Sequence, residues 1–195
     1  MESAELILKN IAKIIELNEQ EKELFISKLK LLKIKAKTTL VKKGDVADKT
    51  YFVNSGCVRA FTSDGEGTEY SVYFAPKDYW ISEMYSYFSG NPSEQCLETV
   101  LPSEIVYFEK PDQEELFIKI PKLERFFRIL IERSVVSHQQ RIIDNLTKTA
   151  EERYVNFEKK YASIVHEIPQ KQIASYIGVT PEFFSKMKAR MLRGK

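Results

Sequence analysis

The sequence is poor in the residues from which stapled, metal-bound or membrane-spanning proteins are made. It has two cysteines, Cys57 and Cys96, and two histidines, His138 and His166, in 195 residues. The cysteines show no CxxC spacing, and these four side chains cannot supply the ligand set of a closed zinc site, so no metal and no disulfide framework is expected. Histidine is absent from residues 1–137, which removes the metal cluster that a jelly-roll enzyme of the cupin kind carries on its strands. No nucleophile–base pair and no phosphate-cradling glycine loop is present, so no catalytic residues are assigned and enzyme activity is not expected. No window approaches 18 uncharged apolar residues, and Glu2 and Glu5 precede any apolar stretch. The expectation is a reduced, cytoplasmic protein with neither a membrane partner nor a signal peptide. Arginine, finally, is missing from residues 60–124.

What is present is enough for a core. Hydrophobic residues make up 43% of the chain and charged residues 30%, and a chain of this size removes roughly 70% of its unfolded surface from water. One domain or two small ones fit. The net charge of +2 says little, but its distribution is uneven. Residues 168–195 carry Lys171, Lys186, Lys188, Arg190, Arg193 and Lys195 against the single acid Glu182, while the rest of the chain has 24 basic and 27 acidic groups. That asymmetry is expected where one end meets a polyanion, although a solvated basic tail would show it too.

Apolar spacing divides the chain. Residues 3–32 fit two short helices, with apolar positions at Leu6, Ile7, Ile11, Ile14 and Ile15, then at Leu24, Phe25, Leu29 and Leu32; Asn18 begins an N-cap pattern. From about residue 34 to 108, short β-like runs alternate with Gly, Asp, Asn and Pro, the pattern of a β-sandwich or jelly roll. Lys33, Lys35 and Lys37 fit the solvent face of an early strand. After Pro111 the punctuation stops. Pro121 suits a helix start, and nothing breaks a helix through Leu146, a span of about 26 residues or roughly 39 Å. Leu123, Phe127, Leu130, Ser134, Ser137 and Arg141 follow a 3,4 spacing, with Phe126, Ile129, Ile131, Val135, Ile142 and Ile143 beside them. One face of such a helix suits the β-domain and another a second copy, giving a homodimer; full use inside its own chain is the other arrangement. A capping box at Thr149-Ala150-Glu151-Glu152 opens a further helix with Tyr154, Phe157, Tyr161 and Ile164 at helical spacing.

The segment QKQIASYIGVTPEFFSKMKA, residues 170–189, fits a helix-turn-helix. Ala174 is small where two helices cross, Gly178 supplies the turn, and Ile173, Ile177, Phe184 and Met187 form the small core between them. Thr180 can cap the second helix, Pro181 occupies its first turn, and Glu182 lies near the positive end of its dipole. With Phe184, Met187 and Met191 inward, Glu182, Ser185, Lys186, Ala189 and Arg190 face outward. We assign base-edge contacts to Glu182, Ser185 and Lys186 and phosphate contacts to Lys171, Lys188, Arg190 and Arg193, with Thr180 at the helix start in the same DNA-binding set. Phe183 has two uses open to it, a thymine methyl or packing on the preceding helix, the second being the commoner fate of such a ring.

The order of two small helices, a β-sandwich containing Lys43-Gly44-Asp45 and YFVNSGCVR (residues 51–59), a long helix and a C-terminal IASYIGVTPEFFSKMK (residues 173–188) resembles the Crp/Fnr family of bacterial transcription regulators over nearly the entire chain. The last segment is especially similar to the shorter members of the Bacteroidetes branch. The resemblance implies an α+β protein: an N-terminal β jelly roll of the cyclic-nucleotide-binding type with flanking helices (residues 1–120), a dimerisation helix (121–147) and a C-terminal helix-turn-helix domain (148–195). Its implied partners are double-stranded DNA, as a palindromic operator, and a second copy of the chain.

The sequence departs from that family where ligands are held. Members that bind cyclic nucleotides present a Gly-Glu pair and, about ten residues later, an Arg followed by Ser or Thr. Here the stretch is YWISEMYSYFSGNPSEQCLETV, residues 79–100: Glu83 remains, Ser82 replaces the Gly, and Ser93 and Glu94 fall at the Arg and hydroxyl positions. A phosphate would meet Glu83 and Glu94 without a guanidinium, so cyclic AMP and cyclic GMP are not expected as ligands. Eight of the 23 aromatic residues lie within residues 70–88. Such rings more often fill a core; as a pocket they would suit an apolar or flat effector, with Tyr73, Trp80, Glu83, Tyr85 and Glu94 as candidate lining. The run of N-terminal thiolates that holds an iron–sulfur cluster is absent, and His138 and His166 fit surface or interface positions better than haem ligation, so no cofactor is expected. After Met191 only residues 192–195 follow, too few for the β-wing common after a recognition helix. The alternative function is a jelly-roll interaction module that has lost specific DNA binding.

Overall fold

The computed structural model describes residues 2–193; Lys195, counted above in the basic end, lies outside them. The chain opens with α1 (Glu2–Ala12) and α2 (Glu19–Ser27). At α2 the Asn18 side chain accepts from the Glu21 N–H while the Glu21 carboxylate accepts from the Asn18 N–H, so two helix-end donors are satisfied reciprocally. The second helix ends earlier than the apolar spacing suggests, because Leu32 belongs to a strand.

That strand is β1 (Lys30–Ile34), followed by β2 (Thr39–Val41), β3 (Lys49–Ser55), β4 (Cys57–Ser63), β5 (Glu69–Pro76), β6 (Trp80–Ile81), the short helix α3 (Met84–Ser89), β7 (Cys96–Thr99) and β8 (Ser103–Glu109). They form two antiparallel four-stranded sheets, ordered β1-β8-β3-β6 and β2-β7-β4-β5. Alternation along each strand sorts the side chains by face. Tyr51, Val53, Val58, Ala60, Leu97 and Ile105 meet between the sheets. Their neighbours Phe52, Val106 and Phe108 point the other way and pack on helices.

Those helices are α1 and α2 together with α4 (Lys110–Lys119) and the 26-residue α5 (Lys122–Thr147), whose Leu123, Phe126 and Phe127 are buried in the same cluster as Ile7, Ile11 and Phe25. Helix α4, with Pro111 in its first turn, has no counterpart in the sequence-based division. The chain ends in α6 (Ala150–Lys160), α7 (Gln170–Ile177) and α8 (Pro181–Arg193). Thr149 and Glu152 form the capping box at α6. The third apolar cluster joins these helices to the outer face of the second sheet: Cys57 and Phe74 pack with Phe157, Tyr161, Ile173 and Phe184. Burial pushes the Cys57 thiol up to about 12, leaving a neutral, apolar-like side chain. No helix among the described residues is long and apolar enough to cross a membrane, and no cluster of His, Cys, Asp or Glu among them could hold a metal ion.

Candidate nucleic-acid interface and sensor cleft

Helices α7 and α8 meet across a turn that only a residue tolerant of left-handed backbone adopts at low cost. Gly178 ends α7 at φ +77°, donating its N–H to the Ala174 carbonyl. Ala174 is fully buried where the helices cross, and Ile173, Ile177, Phe184 and Met187 close around it. Phe184 lies edge-on to Tyr154 of α6 at 5.1 Å, which seats α8 on the rest of the C-terminal helices. The Thr180 hydroxyl accepts from the Phe183 N–H at 3.2 Å and so caps α8.

With that inner face fixed, α8 turns Glu182, Ser185, Lys186, Ala189 and Arg193 to solvent, and Lys171 of α7 and Thr180 are exposed beside them. Two of the basic residues assigned to phosphate are engaged elsewhere. Lys188 is half-buried with its ammonium 5.9 Å from the centre of the Tyr154 ring, because its position falls toward the inner flank of the helix. Arg190 forms an ion pair with Glu151 in the first turn of α6. Phe183, left between two uses by the sequence, is 48% exposed and lies outside the apolar cluster that holds Phe184.

The C-terminal helices are docked along β5, the edge strand of the second sheet. Ser175 of α7 accepts from the Ser71 N–H and donates to the Glu69 carbonyl, both at 2.7 Å, taking up edge groups that would otherwise be open to pairing. The Tyr161 hydroxyl accepts from the Phe74 N–H at 3.3 Å. Arg141 of α5 is the central tie. Its guanidinium donates to the carbonyls of Val72, Ser71 (2.8 Å) and Tyr176 (3.1 Å) and lies 4.3 Å from the centre of the Tyr176 ring. Burial lowers its pKa from the usual arginine value. Sequence spacing places Arg141 on a helix stripe but carries no sign that its partners are backbone carbonyls of a distant strand and helix.

Between β5, β6, α3 and α5 lies a cleft of about 1240 Å³, lined among others by Tyr73, Trp80, Met84, Ser134, His138 and Arg141. Of the five candidate pocket residues, Tyr73 and Trp80 line it. Tyr73 donates to the Ser82 carbonyl at 2.8 Å, and burial, then the Glu83 carboxylate, pushes its hydroxyl pKa up. Trp80 donates to Asn10 at 2.9 Å. The other three lie off the cleft wall. Glu83 is 1% exposed and caps α3 by accepting from the Ser86 N–H at 2.7 Å. Tyr85 projects to solvent from α3, and Glu94 sits on the surface 3.8 Å from Lys43. Ser93 is buried, its backbone paired with Gly44 and Asp45 of the β2–β3 connection. Arg59, on β4, is 4% exposed and held by Glu98 and Glu69. The expected 3,4 stripe of α5 also proves to face inward: Leu130, Ser134, Ser137 and Arg141 are half-buried, while Val135, Val136, Ile142, Ile143 and Leu146 are exposed.

Residues 31–119 match the cyclic nucleotide-binding domain family. The chain is 26% identical over 174 residues to the transcriptional activator protein FnrA of Stutzerimonas stutzeri, covering 80% of this chain and 68% of that protein. It is 27% identical over 187 residues to the anaerobic regulatory protein of Haemophilus influenzae, covering 89% and 72%. The domain match and these relatives make the chain similar to Crp/Fnr regulators. Solved structures show the same fold at 14% identity: the c-di-GMP responsive regulator CLP of Xanthomonas campestris, at a TM-score of 0.74 over 91% of this chain and 93% of that one, and FixK2 of Bradyrhizobium japonicum, at 0.75 over 85% of each. Both of these relatives are regulatory proteins by name, FnrA a transcriptional activator.

Proposed function

We propose that this protein is a homodimeric regulator that binds DNA sequence-specifically through α8, with residues 1–120 as sensor, 121–147 as dimerisation helix and 148–195 as DNA-binding domain. The observation that carries the reading is the outer face of α8. Glu182, Ser185 and Lys186 stand in solvent on a helix whose opposite side is anchored by Phe184 and Met187, the arrangement by which a helix presents polar groups to base edges. Lys171 and Arg193 flank it as phosphate contacts. The exposed Val135, Val136, Ile142, Ile143 and Leu146 of α5 supply the apolar seam for a second copy.

The effector of the sensor is an apolar or flat molecule seated against Tyr73 and Trp80 and not a cyclic nucleotide. The cassette offers Ser93 and Glu94 where a guanidinium and a hydroxyl would grip phosphate, and Arg59 is already neutralised by two carboxylates. Selection from a random duplex pool by the full chain tests the DNA reading. A two-fold symmetric sequence is the expected product; a pool that stays random after repeated rounds would leave the alternative, an interaction module without specific DNA binding.

A further inference from the structure

The recognition helix carries one large ring that the fold does not use. Phe183 is 48% exposed and lies outside the apolar cluster that holds Phe184 and Met187. Phe184 next to it is fully buried against Tyr154, whereas no ring partner is found for Phe183 among the described residues. Its place is fixed all the same. It is the third residue of α8, and its N–H is held by the Thr180 hydroxyl at the cap. Three residues before Lys186, it shares a flank of the helix with that ammonium and adjoins Glu182.

Glu182, Ser185 and Lys186 are all polar and can read only donors and acceptors. The one apolar group that a major groove offers is the C5-methyl of thymine. A phenyl ring on the leading turn of a basic helix is matched to that group, with Lys186 beside it on the neighbouring base edge while Lys171 and Arg193 supply the attraction for the surrounding phosphates. We propose that Phe183 is a specificity-determining residue that reads a thymine methyl next to the base pair contacted by Lys186. This rests on the DNA-binding reading above and adds to it a base that hydrogen bonds alone would not select.

The test compares thymine with uracil, which pairs identically and lacks only the methyl. The selected operator is made with deoxyuridine at each thymine position in turn, in both half-sites, and titrated with the full-length wild type, Phe183→Ala and Phe183→Leu. Because the ring is exposed, both variants should melt like the wild type. At one symmetric position the wild type should lose about fourfold per half-site, the worth of burying one methyl group at roughly 0.8 kcal/mol. Phe183→Ala should bind the thymine operator more weakly by a similar factor and be indifferent to uracil there, while Phe183→Leu should keep part of the discrimination. If Phe183→Ala remains as sensitive to uracil as the wild type at every position, or weakens thymine and uracil operators equally, the inference is wrong although DNA binding stands. A pool that yields no enriched sequence would overturn both.

Discussion

Two adjacent phenylalanines on α8 have opposite fates, and the difference is one of helix phase. Phe184 falls in line with Met187 and Met191 and is buried against Tyr154; Phe183, 100° round the helix, is left in water. Elsewhere a single residue is decided by backbone. Gly56, between β3 and β4, has φ +84°, and a Cβ there would come 2.3 Å from the Ser103 hydroxyl and 2.4 Å from the Pro102 carbonyl oxygen. The neighbouring chain itself would have to shift. Gly56→Ala is therefore expected to destabilise the protein by at least about 2 kcal/mol through left-handed strain together with the clash, read as a lower midpoint in urea unfolding. Gly67→Ala, with φ +83° but nothing within 4 Å, is the control that carries the strain alone and should cost less.

At the scale of elements, what was legible in the sequence is what is encoded locally. The capping boxes at Asn18 and Thr149 span four residues each, and the turn at Gly178 is written in one. The docking of the C-terminal helices on β5 was not legible, because Arg141 meets carbonyls 69, 70 and 35 residues away and backbone acceptors leave no mark on side-chain pattern. The 3,4 spacing of α5 likewise does not say which face the sheet claims. Lys188 and Arg190 look free on a helical wheel and are drawn aside by Tyr154 and Glu151 of α6. Glu83 reads as a ligand residue in the cassette, but α3 needs its carboxylate as a cap. Removing the Arg141 tie should be costly, since Arg141→Leu leaves buried carbonyls without donors at about 1–3 kcal/mol for a group left unpaired. Hydrogen exchange should then show the largest gain at amides whose protection depends on the junction, notably Ser71 and Phe74. Unchanged protection there would show that the docking does not depend on the guanidinium.

For the molecule as a whole, two exposed surfaces among the described residues bear on the proposed function: the apolar residues of α5 and the outer face of α8. The first predicts association. Light scattering should give about twice 22.7 kDa at micromolar concentration. Ile142→Glu, which alters a side chain 60% exposed, should return the single-chain mass with an unchanged circular dichroism spectrum. A wild type that stays at 22.7 kDa would contradict the dimer, and an Ile142→Glu variant that stays at twice that mass would place the contact elsewhere.

The second surface carries the central claim, that α8 reads sequence while the basic groups around it position the protein. Binding titrations on the selected operator and on a scrambled duplex, over a range of salt, separate the two kinds of contact. Lys186→Ala should lose about 1–3 kcal/mol on the operator and little on the scrambled duplex. Arg193→Ala should weaken both equally and lower the salt-dependence slope by nearly one, because a phosphate contact releases a counterion whatever the sequence. If Lys186→Ala weakens both duplexes by the same factor, the outer face of α8 does not read bases through Lys186, and the account of this helix is wrong.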